Sequence, residues 1–182
     1  MRMKLKILIG LGGAVAAVLA LTPFASGHAV VSTMQPQGKA LTSARVAYVL
    51  RVPNEKAEQN TFEVDMLVPQ AVQTAISVKQ SSDWVTKLVK VDTGQKNAEG
   101  NPILAVTKIR WIAKPGADSQ IEPGFYGEFY FRIANPATPQ KLCFPVDQWY
   151  TKATASGKPE AVHWNGDASS ATPASCVDVV AS

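Results

Sequence analysis

The 182-residue chain is 46% hydrophobic and 18% charged, a balance that excludes a disordered or collagen-like polymer and fits one globular domain. Its formal charge of +4 would suit a nucleic-acid partner, but Arg2, Lys4 and Lys6 supply three of those charges in the first six residues. Without residues 1–27 the remaining 155 carry 15 Lys and Arg against 14 Asp and Glu, a net +1, and the argument for nucleic acid disappears.

The three basic residues precede an apolar run from Ile7 to Leu21 and then Thr22-Pro23-Phe24-Ala25-Ser26-Gly27. That pattern predicts a secretory signal peptide over residues 1–27, cleaved after Gly27, with Ala25 and Gly27 as the small residues a signal peptidase requires. A membrane anchor, the alternative, asks for about 20 apolar residues, more than the fifteen present. The expected mature protein is one domain over 28–182, periplasmic or secreted. No second stretch is long enough to cross a bilayer, so no stable membrane anchor is expected after processing.

From residue 28 onward the dominant signal is a period of two, broken by turn residues, with no lasting helical stripe. Phe62, Val64, Met66 and Val68 alternate with Glu63, Asp65 and Leu67; Phe125, Phe129, Phe131 and Ile133 alternate with Tyr126, Glu128, Tyr130 and Arg132. Each run predicts a strand with one core face. Further β-rich runs lie at 45–52, 84–91, 103–112, 142–150, 161–164 and 176–180. Loops are expected at 53–54, 94–102, 114–123, 135–139 and 151–159, where Pro, Gly and Asn cluster. Seven to nine short strands predict an all-β fold, a sandwich. The only cysteines, Cys143 and Cys176, form an even count in an exported chain and so predict one disulfide.

Catalytic motifs are missing. Only His28 and His163 are available as histidines, and there is no nucleophile elbow, phosphate-cradling Gly loop, HExxH or Cys-x-x-Cys. Trp84, Trp111 and Trp149 are expected to serve packing. Position singles out His28: cleavage after Gly27 would make it the first residue, and its α-amine and Nδ1 could close a six-membered chelate ring. An α-amine has a reference pKa of about 7.7 to 8.0, so deprotonating it at pH 7 costs only about 1 kcal/mol, against more than about 4 for a lysine. Two nitrogens with a carboxylate oxygen suit Cu(II). A histidine left first by accident of cleavage is the competing explanation.

Several blocks, in order along the mature chain, resemble one family: His28-Ala29-Val30-Val31, Arg51-Val52-Pro53-Asn54-Glu55, Ile109-Arg110-Trp111, Pro123-Gly124-Phe125-Tyr126-Gly127-Glu128-Phe129, and Val162-His163-Trp164-Asn165-Gly166 before Pro173-Ala174. Together they are similar to the YcnI-like family of exported copper-binding domains. The resemblance implies an immunoglobulin- or fibronectin-like sandwich with one Cu(II) per chain in a monohistidine brace. The family's ligands map onto His28, Glu55 and Trp164. Beside that implication, a loop carboxylate at Glu55 can turn toward the chain terminus, and an indole can present its π-face to a cation. His163 neighbours Trp164, but in a strand the two point to opposite faces, so it is not expected to be a ligand. Many relatives continue into a proline-rich stalk and a membrane helix that this sequence lacks, and the cysteine pair is an addition to the pattern.

The leading expectation is an exported Cu(II)-binding protein for copper acquisition, delivery or buffering. It would work without turnover, with copper ion as its ligand and a membrane copper transporter or another copper carrier as the partner class. Two alternatives stand beside it: a copper-dependent oxidative enzyme of the histidine-brace kind, and a metal-free interaction sandwich.

Overall fold

A computed structural model describes residues 27–182; the leader expected over 1–27 lies, apart from Gly27, outside them. Among the described residues no helix is long and apolar enough to cross a membrane. Twelve strands form there: β1 (Val30–Thr33), β2 (Ala40–Leu41), β3 (Arg45–Pro53), β4 (Thr61–Leu67), β5 (Ile76–Val78), β6 (Trp84–Lys96), β7 (Pro102–Ala113), β8 (Tyr126–Ala134), β9 (Gln140–Phe144), β10 (Val146–Ala153), β11 (Pro159–Trp164) and β12 (Ser175–Val180). They make three sheets, ordered β1-β3-β8-β5, β11-β10-β4-β7-β6 and β2-β12-β9. Every pairing is antiparallel except β12 on β2. The all-β sandwich expected from the period of two is the fold that forms.

Alternation explains the layers. Phe129, Phe131 and Ile133 of β8 are buried while Arg132 is exposed; Val64 and Met66 of β4 are buried while Leu67 is exposed. Their inward faces meet: Trp111 of β7 lies 4.9 Å from Phe129 between ring centroids, and the edge of Trp84 reaches Phe129 at 5.0 Å. Tyr48 of β3 stacks on Phe131 at 5.6 Å, and Phe144 of β9 packs against both rings. Phe144 thus ties the small sheet to the same core. Each such side chain contributes about 1.5 to 3 kcal/mol on leaving water.

Several expectations need correction. Phe125 was placed on the core face of its strand, yet it is 65% exposed. Gly124, at φ 81°, turns the chain there and β8 begins only at Tyr126. The strand count exceeds the seven to nine expected because the 142–150 run is two strands and because the short β1, β2 and β5 form as well. Pro145, with no N–H to give a ladder, lets β9 finish in the small sheet and β10 start in the five-stranded one. Strands β6 and β10 also run into the loops expected at 94–102 and 151–159. Asp65 points outward as expected but is only 5% exposed. Arg110, directly opposite on β7, covers it with Nε at 3.1 Å from Asp65 Oδ1, and Lys108 Nζ stands 3.3 Å from Oδ2.

Strand β6 is the outer edge of its sheet, and Val85, Leu88, Val89 and Val91 along it are exposed, interspersed with Lys87 and Lys90. Its register shifts between Val89 and Lys90, and Gly94 takes a left-handed φ of 73°.

Cys143 and Cys176 sit opposite each other on β9 and β12 and are joined. With a sequence separation of 33 between the two, replacing both by serine is expected to lower the unfolding free energy by roughly 3 to 4 kcal/mol. Urea denaturation of the oxidised protein and the Cys143→Ser/Cys176→Ser variant measures this; equal midpoints would show that the bridge adds nothing.

Candidate metal site

Strand β3 ends at Pro53, and the residue after it fixes the turn. Asn54 is 1% exposed; its Nδ2 donates to the carbonyl oxygens of Gln59 and Ile121 at 2.6 and 2.8 Å, and its Oδ1 accepts from the Lys56 N–H at 3.0 Å. Two backbone bonds, from Asn54 N–H to Phe125 O and from Gly124 N–H to Asn54 O, fasten it to the turn before β8. Asn54 saturated in this way holds the next residue, Glu55, at the surface with its carboxylate toward the incoming chain. The Gly27 N–H donates to Glu55 Oε1. A Cβ on Gly27 would stand 3.0 Å from both Glu55 Oε1 and Pro53 Cγ, so a glycine before His28 suits the packing as well as a peptidase.

Trp164 closes β11 and is 6% exposed. Its Nε1–H donates to Gln148 Oε1 at 3.1 Å. The glycine of the Trp-x-Gly block follows from a close approach: a Cβ on Gly166 would lie 2.1 Å from Ser170 Oγ. Bonds from Gly166 N–H to Thr172 O and from Ala174 N–H to Gly166 O close the turn beyond. The His28 ring lies 5.6 Å from the Trp164 ring between centroids, with the planes inclined at 60°. Gly27, Pro53, Glu55, Lys56, Tyr150 and Trp164 line one cavity of about 240 Å3. Residues from three distant parts of the sequence, His28, Glu55 and Trp164, are therefore brought to one end of the sandwich.

Among the described residues, the charges around the cavity are disposed so that Glu55 is in no ion pair with a protein cation. Lys56 pairs with Glu160 and stands 5.3 Å over the Tyr150 ring. Together with Gln59, it holds the Glu160 carboxyl below the usual carboxylate range. Burial pushes the Tyr150 phenol up to about 12, the charges of Glu160 and Glu55 adding to the rise and a bond with Thr61 opposing it. Tyr150 is accordingly a neutral wall at physiological pH.

Among the described residues no three His, Cys, Asp or Glu side chains gather as a metal cluster. His28 and Glu55 are two such groups, and a third strong donor would have to come from the main chain. An α-amine on His28, if the chain is cut after Gly27 as its sequence predicts, would be such a donor, and with it the residues present would fit a copper ion. His163 is exposed and faces away, its Nδ1 2.6 Å from Asp147 Oδ1 and its ring 6.2 Å from Trp149, as strand alternation predicts.

Asn54, Lys56, Tyr150 and Gln148 were not singled out by sequence reasoning. Only Gln148 left a signal: it alternates with Val146 and Tyr150 on the inward face of β10, a polar residue where an apolar one belongs.

A family model described as a domain of unknown function, DUF1775, matches residues 28–179. No curated protein matches. Among solved structures, an uncharacterized protein from Nocardia farcinica, reported to reveal an immunoglobulin-like fold, is similar with a TM-score of 0.61 at 19% identity, covering 85% of this chain and 99% of that one. A putative membrane anchored protein from Corynebacterium diphtheriae gives 0.44 at 8% identity, over 85% of this chain and 35% of that one. Domains D2 and D3 of the major pilin SpaD from the same organism give 0.41 at 10%, over 80% and 58%. The first likeness supports an immunoglobulin-like fold.

Proposed function

The chain belongs to the DUF1775 family, that of YcnI, and from that premise and the site's geometry we propose that it is an exported protein which binds one Cu(II) per chain once cleavage exposes His28. The observation that carries this reading is that Glu55 and Trp164 line one small cavity while the His28 ring packs beside the Trp164 indole and its neighbour Gly27 reaches Glu55. The His28 amine and imidazole would supply two nitrogens and Glu55 an oxygen with a compensating charge, a donor set that favours Cu(II) over the softer Cu(I). Trp164 would cover the ion with its π-face and keep water from that side. An oxidative brace needs a second histidine, and His163 is turned onto Asp147. The role proposed is therefore acquisition, delivery or buffering of copper in the periplasm or outside the cell, with a membrane copper transporter or another carrier as the exchange partner.

Copper titration followed by EPR tests this directly: processed protein should give a tetragonal Cu(II) spectrum with mixed nitrogen and oxygen coordination, and the absence of saturable binding would leave a metal-free sandwich. Cu(II) should quench tryptophan fluorescence chiefly through Trp164. Trp164→Phe is expected to remove most of the quenching and weaken binding by about 0.5 to 2 kcal/mol, while Glu55→Gln weakens it more by removing a charge and a good oxygen donor. Quenching that survives Trp164→Phe and vanishes in Trp149→Phe would put the ion on the other indole.

A further inference from the structure

Gln148 is a polar side chain at an inward position of β10, 0% exposed among apolar neighbours. A buried amide demands an explanation, because each of its unpaired atoms would cost free energy. Here its Oε1 accepts from Trp164 Nε1 at 3.1 Å, and its Nε2 donates to Pro53 O at 2.8 Å and to Thr61 Oγ1 at 2.7 Å. One amide thus joins the indole at the end of β11 to the last residue of β3, two positions before Glu55. Thr61 extends the chain of bonds to Tyr150, another wall of the same cavity.

We propose that Gln148 is a positioning residue that couples the Trp164 indole to the Pro53–Glu55 turn, so that the two halves of the metal site are set as one unit. The inference rests on the copper reading for its functional consequence, but the positioning of the indole stands without metal. With both bonds in place, the indole is held at one orientation, and the turn that presents Glu55 is anchored to the same amide. An apolar residue of similar volume would fill the core equally well and leave the Trp164 N–H and the Pro53 carbonyl without these partners. That a glutamine occupies the position is what a positioning role requires and a packing role does not.

The test uses two variants in the full processed protein. Gln148→Leu removes every bond of the amide. Thr61→Val removes one acceptor on the side away from Trp164 and leaves the bonds to Trp164 and Pro53. Without metal, the indole N–H resonance that disappears in Trp164→Phe should shift in Gln148→Leu and exchange with solvent at least about tenfold faster, since its acceptor is gone; in Thr61→Val it should stay in place. With copper, Gln148→Leu should bind about tenfold more weakly, the size seen when a partner orienting a metal ligand is lost. The penalties of Trp164→Phe and Glu55→Gln, interdependent in the parent protein, should become additive in that background. An unchanged Trp164 resonance in Gln148→Leu, or equal effects of the two variants on it, would overturn the proposal. If the processed parent binds no copper, the copper reading fails by itself and the metal-free resonance alone decides for or against Gln148.

Discussion

Protein beginning at His28 is expected to bind Cu(II) more than about a hundredfold more tightly than protein carrying one extra residue before it, such as Met-His or Gly-His. In the longer chain the His28 nitrogen belongs to a peptide bond, its lone pair delocalised into the carbonyl, and the chelate ring with the imidazole cannot close on a ready amine. The size follows from the loss of one nitrogen donor and the chelate ring it closes: an α-amine with a reference pKa near 7.7 to 8.0 gives up its proton at pH 7 for about 1 kcal/mol, whereas a peptide nitrogen holds its proton far more firmly. A second effect acts in the same direction, because in the uncut chain the Gly27 N–H donates to Glu55 Oε1. Cleavage would remove that donor and create the amine in one step. Competition with a chromogenic chelator measures both affinities, and equal values would remove the terminal amine from the site.

Asn54→Ala is expected to lower the unfolding free energy by about 3 kcal/mol. The side chain makes three hydrogen bonds, to Gln59 O, Ile121 O and the Lys56 N–H, each worth about 1 kcal/mol net, and a buried group left unpaired costs about 1 to 3 kcal/mol. The loss falls on the turn that presents Glu55 and on its junction with Gly124 and Phe125. Copper affinity should fall along with stability, whereas the exposed neighbour Glu58→Ala should change neither. Urea denaturation monitored by far-UV circular dichroism reads the first effect. A change below about 0.5 kcal/mol, the range of ordinary surface substitutions, would mean that the backbone holds the turn unaided.

How far the sequence could be read depended on how local each cause was. Strands β4 and β8 are long enough to show their period, and their inward residues were identifiable from alternation alone. β1, β2 and β5 have four, two and three residues, too few for a period to emerge, and they exist because neighbouring strands offer them a ladder. Phe125 looked like a core residue because nothing in its identity reveals that Gly124 reverses the chain just before it. The cysteine pair was legible from number and inferred compartment. At the site, His28 could be reached from the cleavage pattern and elementary coordination chemistry, but Glu55 and Trp164 entered through family resemblance. Their proximity is produced by the pairing of β11 with β10 and by the Gln148 bond from β10 to Pro53 of β3 in the other sheet, and no local pattern encodes either. Asn54 and Gln148 escaped because their role is to satisfy groups distant in sequence.

The bare outer edge of the β6–β7 hairpin bears on how the protein behaves at high concentration. Thirteen residues of strand with a flank that is unpaired among the described residues offer hydrogen-bonding groups to any second strand, which is how edge-to-edge aggregation starts. Lys87 and Lys90 make such stacking electrostatically unfavourable, and the register shift and Gly94 bend the template. Charge protects only over the screening length, about 8 Å at physiological ionic strength and about 3 Å at 1 M. Colloidal stability is therefore set along this strand by lysine chemistry and salt, independently of how firmly the core is packed.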